Sequence, residues 1–117
     1  MLHGGGPGAS GYSNYNRNIA AFAKRHRTFV IDFPGWGQSS KNLAPGDPFA
    51  EGGKAVGAFM KAVGLQKAHL VGNSYGGSAA LHLALNNPDM VDKLALMGPG
   101  GALIRGQKGQ RRVFCKC

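Results

Sequence analysis

The stretch AHLVGNSYGG at residues 68–77 determines the fold, because it places an apolar run directly before a Gly-x-Ser-x-Gly turn, and the run SAALHLAL that follows it is typical of a helix. Glycines at 72 and 76 allow a tight strand-to-helix turn where a Cβ would collide with neighbouring backbone. Such a turn holds the hydroxyl of Ser74 clear of the sheet, beside the free amide groups of a helix N-terminus that favour an oxyanion. We therefore predict that Ser74 is a catalytic nucleophile; the alternative is a glycine-rich turn with an incidental serine.

Length and composition indicate a single small globular domain. The chain has 117 residues, 43% of them hydrophobic, and it contains no run of 18 or more apolar residues, which predicts no transmembrane helix. Its first residues have neither the basic segment nor the apolar segment of a signal peptide. We expect a cytoplasmic protein that acts on a small molecule and has no membrane partner.

The net charge of +9 is concentrated near the end of the chain. Residues 105–117 contain five basic residues and no acidic one, whereas residues 1–104 contain nine basic and five acidic residues, so we predict no nucleic-acid partner for the body. Both cysteines, Cys115 and Cys117, lie in this tail without a nearby histidine, which predicts neither a metal site nor a disulfide framework. We divide the chain into a folded body, 1–104, and a disordered tail, 105–117, whose abrupt change of composition is typical of a shifted reading frame or vector sequence.

Strands and helices alternate along the body. The predicted order is a strand end at residues 1–2, a glycine loop at 3–11, a helix capped by Ser13 or Asn14, a buried strand at 28–32, a helix from about 49 to 63 ending at Gly64, a strand before the elbow, a helix stopping at 86–88, and a strand at 93–97. This alternation predicts an α/β fold with a mainly parallel sheet and helices on both faces. We expect the Gly52-Gly53 pair to weaken the first turn of the second helix.

Five parts of the body share a family pattern: HGGGPGA at 3–9, Asn14, DFPGWGQS at 32–39, GNSYGG at 72–77 and LMGPGG at 96–101. Together they resemble the α/β-hydrolase fold superfamily. Within it they look most like the meta-cleavage product hydrolases, the carbon–carbon bond hydrolases of bacterial aromatic and steroid degradation. The resemblance covers residues 1 to about 103 and implies a partial α/β-hydrolase fold, truncated at both ends.

The resemblance also implies roles for single residues. Ser74 would be the nucleophile, and the backbone N–H groups of Tyr75 and Gly5 would form the oxyanion hole. We expect no cofactor and no metal, and the resemblance implies that full-length members of the family form homo-oligomers.

Two asparagines and the glycine loop would form the substrate-binding part of the site. The resemblance implies that Asn14 and Asn73, with Gly4 and Gly6, hold a 2-hydroxy-6-oxo-dienoate, which the enzyme ketonises and then cleaves by hydrolysis. A plain helix cap is the alternative for Asn14. We expect His3 to order the loop rather than to act as a base.

A serine becomes a nucleophile only when a base can take its proton, and this fold supplies that base in the chain order Ser, acid, His. After Ser74 the only acids are Asp89 and Asp92, and the last histidine, His82, precedes both. His82 lies eight residues along the helix, at about 12 Å, which is too far. The other histidines of the body read as structural or surface residues: His26 and His69. We therefore predict an inactive amino-terminal part of a hydrolase.

A dinucleotide-binding oxidoreductase is an alternative from another class. Gly6, Gly8 and Gly11 form G-x-G-x-x-G, and Asp32 follows 21 residues later, where a ribose-binding acid is expected. Against it, no full strand precedes the loop, the helix is expected to start only near Asn14, and the Gly-x-Ser-x-Gly turn is left unexplained.

Two further alternatives remain open. One is an esterase-type α/β-hydrolase, whereas a serine at position 74 argues against the dehalogenase and epoxide hydrolase branches, which attack with a carboxylate. The other is a non-catalytic module that binds a polyanion through the basic tail.

Overall fold

The computed structural model describes residues 1–43 and 45–100. Its elements, in chain order, are α1 (Gly11–Ala23), α2 (Pro48–Ala62), β1 (Ala68–Asn73), α3 (Tyr75–Asn86), a 3₁₀ turn (Pro88–Met90) and β2 (Val91–Met97). The predictions for the tail at 105–117, and for residue 101 of the LMGPGG segment, lie outside the described residues. Across the described ranges, none of the helices has the length and apolarity needed to span a bilayer.

The sheet is parallel, as the alternation of elements predicts. Strands β1 and β2 pair in parallel along their length. Leu2 extends the sheet through parallel bridges to Gly72 on one side and to Ile31 on the other. The segment before the glycine loop therefore lies beside β1, and this places the loop next to the end of β1 where the elbow begins.

The segment at 28–32 differs from its prediction as a buried strand. It forms one bridge, at Ile31, and its residues are only half-buried. The ring of Phe29 packs edge-on against Phe59, with 5.5 Å between ring centroids, and the guanidinium of Arg27 lies 4.9 Å from its ring centre. Burial of a strand depends on what covers it, and an apolar, β-branched composition does not specify those neighbours.

Helix α1 begins earlier than predicted. Ser10, and not Ser13 or Asn14, is the N-cap: its hydroxyl accepts a hydrogen bond from the Ser13 amide, and the Ser13 hydroxyl accepts one from the Ser10 amide. The first residue of the helix lies very close to the segment at 28–32, because a Cβ at position 11 would be only 2.7 Å from the carbonyl oxygen of Ile31. Glycine has no Cβ, so the helix can start there. The prediction that the helix starts only near Asn14 is therefore wrong, and it no longer counts against the dinucleotide alternative.

Helix α2 agrees with its prediction to within one residue at each end. Asp47 caps it by accepting a hydrogen bond from the Phe49 amide at 3.0 Å, and Pro48 occupies the first turn. The helix ends at Ala62, and Gly64 follows with φ of +73°, the left-handed conformation expected of a terminating glycine.

The glycine pair in α2 allows close packing against α3, a role that the sequence did not predict. A Cβ on Gly53 would lie 3.0 Å from the carbonyl oxygen of Ala79 and 3.1 Å from the amide nitrogen of Leu83. A Cβ on Gly52 would lie 2.7 Å from the hydroxyl oxygen of Tyr75. The backbone of α2 therefore approaches α3 closely at a point where a side chain would push the helices apart.

The hydrophobic core lies between α2, α3 and one face of the sheet. Its buried members are Leu2, Phe33, Val56, Met60, Leu70, Ala79, Ala80 and Leu83. Along β1, Asn73 alternates with Gly72 and so faces the other side of the sheet, where its side chain meets Asn14 of α1 at 3.0 Å. Helices therefore lie on both faces, in agreement with the predicted fold class.

The contact between α2 and α3 yields a prediction about two glycines of the same helix. We expect Gly53→Ala to destabilise the fold by about 1–3 kcal/mol, because its methyl group would press on the backbone of α3. Gly57→Ala should be neutral or stabilising by up to about 1 kcal/mol, since its methyl group would meet only the flexible end of Leu83, at 3.2 Å, and alanine favours the helix.

Urea-induced unfolding of the two variants, followed by circular dichroism, measures this difference. Equal stability of both variants would contradict the close backbone contact.

Candidate active site

The turn between β1 and α3 places Ser74 at a strained corner. Ser74 has φ of 48° and ψ of −112°, and within residues 1–43 and 45–100 it is the only residue other than glycine with a positive φ. A Cβ on Gly72 would lie 2.6 Å from the carbonyl oxygen of Gly76, and a Cβ on Gly76 would overlap the carbonyl of Leu2. Ser74 itself is exposed to solvent. The sharp strand-to-helix turn predicted around this serine is thus present, and strain of this kind concentrates at functional sites.

Hydrogen bonds from the end of β2 hold this corner. The amide of Ser74 donates to the carbonyl of Met97 at 2.8 Å, and its carbonyl accepts from the amides of Ser78 and Gly100 at 3.1 and 3.3 Å. The buried hydroxyl of Ser78 also contacts the carbonyls of Ser74 and Gly100. Sequence reasoning missed Ser78, because its partner Gly100 lies 22 residues further along the chain.

The glycine loop lies against the elbow. A Cβ on Gly4 would lie 3.4 Å from the Cβ of Ser74, and a Cβ on Gly5 would lie 3.6 Å from the Cβ of Tyr75. Within the part of the chain that the structure describes, the amide N–H groups of Gly5 and Tyr75 have no hydrogen-bond acceptor. Two free amides, one of them at a helix N-terminus, therefore lie next to Ser74, and this arrangement can stabilise a negatively charged oxygen.

The two asparagines lie together beside this loop. The side-chain oxygen of Asn14 accepts hydrogen bonds from the amide of Gly4 and from Nδ2 of Asn73, both at 3.0 Å. Asn14 lies inside α1, so its alternative interpretation as a helix cap is wrong. The amide of Gly4 is engaged and offers no donor to a ligand. Among the described contacts, Nδ2 of Asn14 and the side-chain oxygen of Asn73 have no partner, and these two atoms can bind polar groups of a substrate.

His3 is fully buried and uses both ring nitrogens within the protein. Its Nδ1 lies 2.7 Å from the carbonyl oxygen of Gly4, and its Nε2 accepts a hydrogen bond from the amide of Phe33 at 3.0 Å. Because a backbone amide can only donate, the proton must reside on Nδ1. His3 therefore orders the glycine loop, as expected from the sequence, and has no nitrogen free to accept a proton from a serine.

The remaining histidines contact other residues. Nε2 of His82 lies 3.8 Å from Asp47, and Nδ1 of His69 lies 3.1 Å from Asp92. The ring of His26 packs edge-on against that of His69, with 6.0 Å between centroids. The pair of His69 and Asp92 is at the amino ends of β1 and β2, about 17 Å along the strand from the elbow serine. Its position makes it unsuited to take a proton from that serine.

Asp32 connects the start of α1 with the turn that carries Trp36. Its carboxylate accepts hydrogen bonds from the amides of Gln38 at 2.8 Å and Gly11 at 2.7 Å, and these hold the pKa of Asp32 below its usual value. Gly37, with φ of +49°, leaves room for the carboxylate that a side chain would fill. Each oxygen of Asp32 accepts a backbone hydrogen bond, so this carboxylate has a structural role that the dinucleotide alternative does not require.

Aromatic rings surround Tyr75, the residue after the nucleophile position. Ring centroids of Phe33, Trp36 and Phe49 lie 4.9, 5.0 and 5.8 Å from that of Tyr75. The hydroxyl of Tyr75 donates to the carbonyl of Pro48 at 2.9 Å, and burial, with two nearby carboxylates, raises its pKa. The phenol therefore stays protonated at neutral pH, which leaves the backbone amide as the group that Tyr75 can offer.

The comparisons with known proteins agree with this geometry. Residues 1–112 match the family described as alpha/beta hydrolase fold. The matched residues include the parallel sheet, the serine at the strand-to-helix corner and the glycine loop beside it. The chain belongs to the α/β-hydrolase fold family, as its resemblance implied.

Its relatives include two hydrolases of ring-cleavage products. It is 48% identical to the 2-hydroxy-6-oxononadienedioate/2-hydroxy-6-oxononatrienedioate hydrolase of Comamonas testosteroni and 49% identical to the 2-hydroxy-6-oxo-6-phenylhexa-2,4-dienoate hydrolase of Burkholderia cepacia. Each alignment runs over 102 residues and covers 86% of this chain. The chain spans only 36% of the length of either relative.

Solved structures give the same result. A meta-cleavage product hydrolase from Pseudomonas fluorescens has a TM-score of 0.80 at 34% identity, covering 86% of this chain and 37% of that one. The 2-hydroxy-6-oxo-6-phenylhexa-2,4-dienoate hydrolase of a Rhodococcus strain has a TM-score of 0.75 at 35% identity, covering 84% and 36% of the two chains. The predicted similarity to meta-cleavage product hydrolases is confirmed.

The contacts of Asp32 predict a pH-dependent stability. We expect Asp32→Asn to lower the free energy of unfolding by about 1 kcal/mol at pH 7, because the amide cannot replace two charge-assisted hydrogen bonds, one of them at the start of α1. Since folding lowers this pKa, the contribution is fully present above the ordinary value of 3.8 and is lost as the pH falls through the lowered pKa.

Urea titrations of the chain and the variant at pH 7, 5 and 3 test this. The exposed Asp89→Asn provides the control. A stability difference for Asp32→Asn that is as large at pH 3 as at pH 7 would contradict the proposed cause.

Proposed function

We propose that this chain carries the nucleophile and the oxyanion hole of a serine hydrolase that cleaves a carbon–carbon bond in 2-hydroxy-6-oxo-dienoate ring-cleavage products. The observation that carries the proposal is the position of Ser74, at an exposed strained corner beside the free amides of Gly5 and Tyr75. The names of the relatives support the substrate class.

The chemistry follows from the substrate. Ketonisation moves the proton of the 2-hydroxyl group to carbon 5 and shifts the double bond from carbons 4 and 5 to carbons 3 and 4, so that carbon 5 becomes a saturated carbon next to the 6-keto group. Attack of the Ser74 hydroxyl on carbon 6 places a negative charge on the ketone oxygen, which the amides of Gly5 and Tyr75 would stabilise. Collapse of this intermediate breaks the bond between carbons 5 and 6, and carbon 5 leaves with the electron pair as a conjugated enolate that takes up a proton. Water then releases the acyl group from the serine.

The two asparagines would orient the substrate. Their mutual hydrogen bond holds Nδ2 of Asn14 and the side-chain oxygen of Asn73 next to Gly4. One free donor and one free acceptor suit an enol or carboxylate group and its proton. In this role Gly4 and Gly6 would contribute open space beside the substrate, because the amide and carbonyl of Gly4 and the carbonyl of Gly6 are already hydrogen-bonded within the protein.

Removal of the proton from the Ser74 hydroxyl is the step for which the described residues offer no base. His3 is fully engaged, and the other histidines lie against Asp47 and Asp92 or in the pair of His26 and His69. No histidine follows His82 in the sequence. We therefore propose that the chain alone does not catalyse the reaction.

A hybrid enzyme tests the function directly. The 102-residue segment of the Burkholderia cepacia hydrolase that aligns with this chain is replaced by the matching residues of this chain. We expect the hybrid to hydrolyse 2-hydroxy-6-oxo-6-phenylhexa-2,4-dienoate, and Ser74→Ala to lower its kcat by about 10⁴-fold or more. Ser40→Ala, at another exposed serine, is the matched control and should keep the activity of the parent hybrid.

The same assay separates the alternatives. A hybrid that hydrolyses nitrophenyl esters but not the dienoate would favour the esterase reading. A Ser74→Ala hybrid as active as its parent would refute the assigned nucleophile.

The isolated chain gives a second prediction. Its rate of dienoate or nitrophenyl ester turnover should equal that of its own Ser74→Ala variant, because the serine has no base. Spectrophotometric assays of the two purified chains measure this, and a clear serine-dependent rate would show that a base is present.

A further inference from the structure

Trp36 is held in place independently of the glycine loop. Its amide donates to the carbonyl of Phe33 at 3.0 Å, and its own carbonyl accepts from the amide of Ser39 at 3.1 Å. The hydroxyl of Ser39 donates in turn to the carbonyl of Asp32 at 2.6 Å. The side chain of Trp36, the single tryptophan of the sequence, therefore extends from a well-anchored turn.

This side chain contacts both halves of the candidate oxyanion hole. Its indole N–H donates to the carbonyl of Gly6 at 3.1 Å. Its ring edge lies 3.6 Å from the position that a Cβ on Gly5 would take, and the Cβ of Tyr75 lies at the same distance from that position. The rings of Trp36 and Tyr75 pack at 5.0 Å with a 42° tilt. Gly5 thus lies between Trp36 and the residue that supplies the second amide.

The glycine loop needs such support from outside. Gly6 and Gly8 have φ of +130° and +73°, and a Cβ on either would have no atom within 4 Å. Glycine backbone has little conformational preference of its own, so a loop of this composition is ordered only by its contacts. Among the described residues, the hydrogen bond from Trp36 is the only one that a side chain makes to residues 5–9.

We propose that Trp36 is a positioning residue of the oxyanion hole, whose indole N–H fixes the loop through Gly6 and whose ring sets the spacing between the amides of Gly5 and Tyr75. The inference rests on the proposed function, because it assigns a role in stabilising the oxyanion that forms there. A displacement of about 1 Å in such a site can cost about a hundredfold in rate.

The hybrid enzyme provides the kinetic test. Trp36→Phe retains an aromatic ring but removes the indole donor, and we expect it to lower kcat by about ten- to a hundredfold with KM changed less than about twofold. Phe49→Leu is the control, because Phe49 packs against Tyr75 at 5.8 Å while the loop hydrogen bond comes from Trp36. Equal losses in both variants, or a loss confined to KM, would overturn the proposal.

The full chain itself provides the structural test. Since it contains one tryptophan, growth on benzothienylalanine replaces Trp36 alone, and this analogue keeps the bicyclic shape while sulfur replaces the N–H group. We expect ¹⁵N relaxation to show lower order at Gly5 and Gly6 in this protein and in Trp36→Phe than in the parent chain. Unchanged order at both glycines would overturn the proposal.

The two tests also separate this inference from the proposed function. A parent hybrid without dienoate hydrolysis, together with loop order that depends on Trp36, would refute the proposed function and support the positioning role. An active parent hybrid whose rate and loop order do not depend on Trp36 would do the reverse.

Discussion

The site depends on a close approach between three backbone segments. The backbone of Gly76 lies against the carbonyl of Leu2 on one side and against Gly72 on the other. Leu2 pairs with the end of β1, and α3 starts immediately beyond it, so the elbow and the start of the glycine loop share one small volume. A side chain at either glycine would separate them. Without this contact, Ser74 would have an exposed hydroxyl but no loop amide beside it.

The order of the glycine loop comes from side-chain contacts. His3, at the start of the loop, and Asn14 bond to Gly4, and on the other side Trp36 bonds to Gly6. Asn14 belongs to α1 and Trp36 to the turn after the segment at 28–32, and Asp32 ties those two regions together through hydrogen bonds to backbone amides. The loop is therefore a flexible backbone held by three side chains, which is how a preorganised anion site can be built from glycine.

Local chemistry explains which elements could be predicted. The elbow, the end of α2 at Gly64 and the stop of α3 before Pro88 each depend on the conformational range of one or two residues, which a sequence displays directly. The start of α1 was misplaced because Ser10 and Ser13 form a capping box without the usual glutamate. The prediction of a buried strand at 28–32 is wrong because the burial of a segment depends on which residues pack over it, and its own composition does not specify them.

The sequence by itself determined the sharp corner at Ser74, the family, and the fact that no histidine follows His82, since steric limits of glycine and chain order are local or countable properties. Only the tertiary structure decided that Asn14 bonds to Gly4, that Trp36 bonds to Gly6 and that Ser78 meets Gly100. These partners are 10 to 30 residues apart, and their meeting depends on how the sheet and helices pack. A side chain's donor or acceptor is visible in a sequence, but its partner becomes known only when the fold brings the two together.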